Sequence, residues 1–237
     1  MGILYSRSVG TLSAKGIYIF PLDNDDMILN YDVFKVITNI ADKGNFDIVQ
    51  FRGIVSLSGE TNILSNNIKN ISYTSKKKNN YVLFQPELGK FPLEPGIVMG
   101  SYLIKDAYLW GKCISSIVYK KVLNKLGQER YSRYMLAHED VLIVYALFNT
   151  AKSYKFVGKY GIFQISSYSS AYFKTKPFDY YLKELFLADI VLDFSKDIVE
   201  HKLLAVHLII GLMNMKVFSS LLNTNNKKIF MSCFIEH

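Results

Sequence analysis

Two acidic clusters carry most of the chemistry that this sequence can offer. In Leu22-Asp23-Asn24-Asp25-Asp26, three carboxylates fall within four positions, directly after an apolar run. Like charges so close repel unless a cation or a hydrogen-bond donor compensates them. Hard oxygen ligands of this kind suit Mg²⁺ or Mn²⁺. A solvated acidic turn is the alternative, and local sequence does not decide between the two. A calcium EF-hand loop beginning at Asp23 is excluded, because Ile28 stands where that loop needs glycine and Phe34 where it needs glutamate. The second cluster is His138-Glu139-Asp140, immediately before an apolar stretch. It reads either as ordinary acidic complementation of a helix N-terminus or as a general base held at a helix start.

The elements that must position these clusters follow from periodicity. Ile17 to Leu22 reads as a short strand ending at the first cluster. Val33, Phe34, Val36, Ile37 and Ile40 recur at helical spacing, so a helix is expected over Tyr31 to Ala41. Phe46 to Val55 reads as a second strand and Tyr81 to Phe84 as a short one. The polar stretch between them, with Lys76-Lys77-Lys78, reads as a long loop. From Ile97 to Leu126 the pattern is helical, with a stripe of Ile114, Ile117, Val118, Val122 and Leu126 and a stop at Gly127. A helix apolar nearly all round, hence buried, is expected over Glu139 to Ala151. Tyr154 to Val157 and Gly161 to Ile165 read as a strand pair turning at Gly158-Lys159. Helical periodicity returns from Phe178 to Leu222. Strand–helix alternation predicts an α/β fold with a helical C-terminal tail.

Composition bounds the partners. The 237 residues are 50% hydrophobic and 20% charged, which is globular and excludes disordered and coiled-coil classes. A net charge of +8 permits an anionic partner such as a nucleotide-sugar or a membrane surface without demanding one. No nucleic-acid-binding motif accompanies it. Two cysteines, Cys113 and Cys233, make neither a disulfide framework nor, with four histidines, a zinc set. Leu203 to Leu222 carries His207, Asn214 and Lys216 and reads as a buried helix, not a span. The expected location is cytoplasmic, with peripheral membrane contact by the C-terminal helices left open.

Together these pieces resemble the family-2 glycosyltransferases of the GT-A fold. The resemblance rests on Arg7-Ser8-Val9-Gly10, Ala14-Lys15-Gly16-Ile17-Tyr18-Ile19, Asp23-Asn24-Asp25-Asp26, Trp110-Gly111-Lys112, Glu139-Asp140 and Tyr160-Gly161-Ile162-Phe163, and covers residues 4–170. Ser8 stands where the family usually has asparagine. The resemblance implies a mixed sheet flanked by helices, as a partial GT-A domain over residues 1–177, and a C-terminal helical region over residues 178–237. It implies transfer of a sugar, with inversion, from a nucleotide-sugar (a UDP-sugar foremost) to a hydroxyl of a glycan, protein or lipid-linked acceptor. Asp25 would hold Mn²⁺ or Mg²⁺. Arg7, Asp23 and Asp26 would bind the donor, Asp140 would be the base with Glu139 beside it, and Trp110 and Lys112 would border the acceptor. The family carries further nucleotide-binding strands ahead of its Arg segment. The expectation is therefore a cut-back sheet with an open edge, and the alternative function is an inactive relative serving as a binding module.

Overall fold

A computed structural model describes residues 2–24, 26–29, 31–56, 81–83, 108–132, 139–165, 188–190 and 192–194. The chain opens with helix α1 (Ile3–Ser13), followed by strands β1 (Tyr18–Ile19) and β2 (Met27–Ile28). Helix α2 (Tyr31–Gly44) leads into strand β3 (Ile48–Ser56), and β4 (Tyr81–Leu83) follows. Strand β5 (Lys112–Ser115) runs straight into helix α3 (Ser116–Leu126) and the single turn α4 (Gln128–Tyr131). Helix α5 (Glu139–Thr150) and strand β6 (Tyr154–Ile165) complete the described elements.

One mixed sheet holds the strands in the order β1-β5-β3-β6-β2. β3 and β6 lie parallel along their whole length, and every other pairing is antiparallel. On its other flank β3 meets β5 at Ile48–Gln50 and β4 at Ile54–Ser56. Because β3 is covered on both faces, its residues from Ile48 to Ile54 are buried in succession rather than alternately. The faces still alternate in what they touch. Ile48 packs with α1, α3 and α5 through Leu4, Val122, Leu123 and Leu147. Val49 and Phe51 pack with α2 through Val33, Ile37 and Ala41. The expected α/β architecture, a mixed sheet flanked by helices, is the one observed.

Three expectations are corrected. Lys112–Ser115 is a strand, not the middle of a helix: Lys112, Cys113 and Ile114 are buried where this segment bridges β1 and β3. The α3 stripe holds at Val118, Val122 and Leu126, joined by Tyr119 and Leu123, but Ile117 is 78% exposed. Tyr154 to Ile165 is one continuous strand rather than a hairpin. Its register against β3 slips on either side of Arg52, and the extra residues of β6 fall within Val157–Lys159 and at Gly161. The Arg52 guanidinium lies 5.5 Å from the ring centroids of both Phe156 and Tyr160. The loop expected over Ser56 to Asn80, apart from Ser56, and the domain boundary at residue 177 lie outside the described residues.

Of the expected C-terminal helical region, residues 188–190 and 192–194 are described and helical. Arg130 anchors them through ion pairs to Asp189 (3.2 Å) and Asp193. Among the described residues, no helix is long and apolar enough to cross a membrane.

Candidate active site

The first acidic cluster sits where the chain leaves β1 for β2, the two end strands of the sheet. Phe20 fixes the departure by packing edge-on to Phe34 of α2, with ring centroids 4.8 Å apart. A turn then closes, in which the Asp26 N–H donates to the Asp23 carbonyl at 3.1 Å. Asp23 and Asp26 are both partly buried; Asp25 lies outside the described residues.

The second cluster opens α5, as expected. Its packing, however, is far from that of a solvated first turn. Glu139 is 4% exposed, and Asp140 beside it is partly buried. The two clusters meet through Arg7 of α1. One guanidinium nitrogen donates to Asp23 Oδ1, and the other donates to Glu139 Oε1 at 2.5 Å. α1 is itself held against α3. Lys120 Nζ donates to the Ala14 carbonyl at 2.6 Å, and the Thr11 and Tyr119 hydroxyls are hydrogen-bonded.

The electrostatics follow from burial. Desolvation, reinforced by the charge of Asp140, pushes the Glu139 carboxyl up to about 7 despite the opposing pull of Arg7. Asp140 is raised as well, chiefly by desolvation, while Arg7 and Lys112 pull it down. Burial works against the charge on Arg7, but Glu139 and Asp23 outweigh it and hold the guanidinium firmly protonated. Burial drives the phenol of Tyr119 up to about 12. Two adjacent carboxyls, both raised by burial, can exchange a proton nearer neutrality than solvated ones can.

Lys112 opens the strand that replaces the expected helix, and Trp110 lies in the turn just before it. Lys112 is 1% exposed, and its Nζ donates to the Tyr108 carbonyl. Trp110 is 6% exposed, stacks on Tyr108 at 5.0 Å, and lies over Gly53. Both therefore belong to the interior. Among the described residues, no group of three or more His, Cys, Asp or Glu side chains gathers closely enough to hold a metal ion. The structure adds two residues that sequence reasoning missed, Thr11 and Tyr119. Tyr119 lies one step along the α3 stripe and could be found from it, whereas Thr11 carries no signal.

No protein-family model matches the sequence, and no curated protein matches it. Solved structures do. TarS of S. aureus, residues 1–349, in complex with UDP-GlcNAc is 15% identical, with a TM-score of 0.54 over 88% of this chain and 51% of that one. TarS 1–349 without a named ligand gives 16% and 0.53 over 94% and 55%. The UDP complex gives 15% and 0.52 over 91% and 52%. The chain thus spans about half the length of these structures. At this identity the likeness is one of fold, and the fold is GT-A-like.

Proposed function

We propose that this chain is a metal-dependent, inverting glycosyltransferase that moves a sugar from a nucleotide-sugar to an acceptor hydroxyl. The observation that carries the reading is the meeting of the Asp23–Asp26 turn with the Glu139–Asp140 helix start, joined by Arg7, on a GT-A-like fold. TarS is seen with UDP-GlcNAc and with UDP, so a UDP-sugar is the first donor to test.

Asp140 takes the proton from the acceptor hydroxyl as that oxygen attacks the anomeric carbon. The new C–O bond forms on the face opposite the breaking one, which inverts the centre. Glu139 keeps Asp140 company as a second proton-holding group. Asp23, 34% exposed while bonded to Arg7, keeps an oxygen for the ribose or donor sugar, with Asp26 near it. Trp110 and Lys112 shape the acceptor side from the interior, Lys112 through its charge on Asp140. The acceptor class, whether glycan, protein or lipid-linked, follows from none of these contacts.

The metal rests on the sequence pattern of the turn: Asp25 would hold Mn²⁺ or Mg²⁺, with Asp26 next to it in the chain, carboxylate oxygens being the ligands that such ions take. Such an ion, when bound, offsets the charge developing on the diphosphate leaving group.

The test is transfer from UDP-GlcNAc in the presence of manganese, to water and to a panel of glycan and lipid-linked acceptors. Asp140→Asn is expected to keep donor affinity and lower kcat by about 10²- to 10⁴-fold. An Asp140→Asn enzyme as fast as the parent would refute the assignment. A parent chain that binds donor but transfers to nothing would instead be a binding relative.

A further inference from the structure

Arg7 stands on an element apart from both acidic clusters, yet it is the residue that joins them. Its two terminal nitrogens go to different carboxylates on different elements: Asp23 after β1 and Glu139 at the start of α5. The guanidinium is a rigid planar fork, so the separation of those nitrogens fixes the separation of the carboxylates they hold. The platform behind it is fixed too, since Lys120 and Tyr119 of α3 bind the far end of α1.

The two partners differ in exposure. The Asp23 side chain is 34% exposed, but that of Glu139 is only 5% exposed. Drawing Arg7 onto a bound phosphate would take from the buried Glu139 carboxyl its cationic partner, so that Glu139 would have to take up a proton or remain as a costly unpaired anion. Arg7 is thus poorly suited to leave its partners for the donor.

We propose that Arg7 is a positioning residue: by bridging Asp23 and Glu139 it sets the spacing between the donor-side turn and the base-bearing helix. This rests on the glycosyltransferase reading of the same site. It differs from a donor-binding role in what it predicts. Removing a group that touches the donor weakens donor binding. Removing a spacer slows the chemical step instead, because small misplacements of reacting groups are expensive.

The experiment measures kcat and donor KM for Arg7→Lys and Arg7→Met with UDP-GlcNAc and manganese. Lysine keeps the charge but has a single nitrogen in place of the rigid planar fork, so it cannot fix the separation of the two carboxylates. Arg7→Lys should lose about 10-fold in kcat and Arg7→Met about 100-fold, with donor KM within about 3-fold of the parent. A rise in KM at unchanged kcat, or full activity in Arg7→Lys, overturns the proposal. A parent with no transfer activity would refute the glycosyltransferase reading alone. The bridge is then read by double-mutant cycles of Arg7→Lys with Asp23→Asn and with Glu139→Gln, in denaturant unfolding. Significant coupling in both cycles supports a bridge, and simple additivity in either one overturns it.

Discussion

Glu139 is the residue whose environment departs furthest from what its sequence neighbours suggest. An acidic residue in a helix first turn is ordinarily solvated and ionised; this one is sealed, with Asp140 adjacent and Arg7 across from it. Its carboxyl moves from an ordinary 4.5 to about 7, so across that interval the folded chain binds a proton that the unfolded chain has released. Stability must then fall as pH rises through the same window, because the native state binds more protons there. Asp140, raised too, adds to the slope in the same direction. Glu139→Gln removes one of the two titrations and still offers Arg7 an acceptor oxygen. Its denaturant midpoint should therefore change less between about pH 5 and about pH 8 than that of the parent. Equal pH slopes for the two proteins would show that Glu139 does not titrate in this way.

Two glycines test how the elements are seated, and they should fail differently. Gly127 ends α3 at φ 77° and ψ 151°, a region open almost only to glycine, with nothing within 4 Å of where a Cβ would go. Gly53 of β3 has ordinary backbone, but a Cβ there would come within 2.2 Å of the Trp110 ring. Each alanine variant should cost about 1–3 kcal/mol, the first through backbone strain and the second through overpacking. Trp110 is the sole tryptophan and reports the difference. Gly53→Ala should shift its emission, and Gly127→Ala should leave it unchanged. The same contrast between local and distant causes explains which elements are legible in the sequence. α2 and α3 announce themselves because the residues they bury are apolar and periodic, and α5 and β3 because they are densely apolar along their length. α1 does not, since two of its three buried positions are Ser8 and Thr11. β6 reads as a hairpin because Gly158-Lys159 spells a turn, and only its pairing with β3, whose register shifts around Arg52, makes the turn a bulge. β5 is taken into a helix because its burial between two strands is a non-local fact. The acidic clusters are legible as local charge. Their meeting is not, because it depends on an arginine from a helix whose pattern is mute.

At the scale of the molecule, the sheet is the floor that brings distant segments to one place. β1 and β2 lie at its two ends, and the acidic turn spans the connection between them, while α5 approaches from the face that α1 and α3 share. A ligand that engages the turn therefore touches a segment tied to both ends of the sheet and, through Arg7, to α5. Binding at such a junction should stabilise the whole cooperative unit rather than one loop. At a free concentration 100 times its Kd, a ligand specific to the folded state adds about 2.7 kcal/mol. For a chain of this size that amounts to roughly 5–10 °C in Tm. UDP-GlcNAc with manganese is expected to give such a shift in the parent chain. Asp25→Ala should lose the part that depends on manganese, and Asp140→Asn should retain all of it, because the base meets the acceptor and not the donor. A shift that survives in Asp25→Ala would remove the metal from the acidic turn while leaving a donor site. No shift in the parent at millimolar UDP-GlcNAc, with or without manganese, would mean that UDP-GlcNAc is not a donor for this chain.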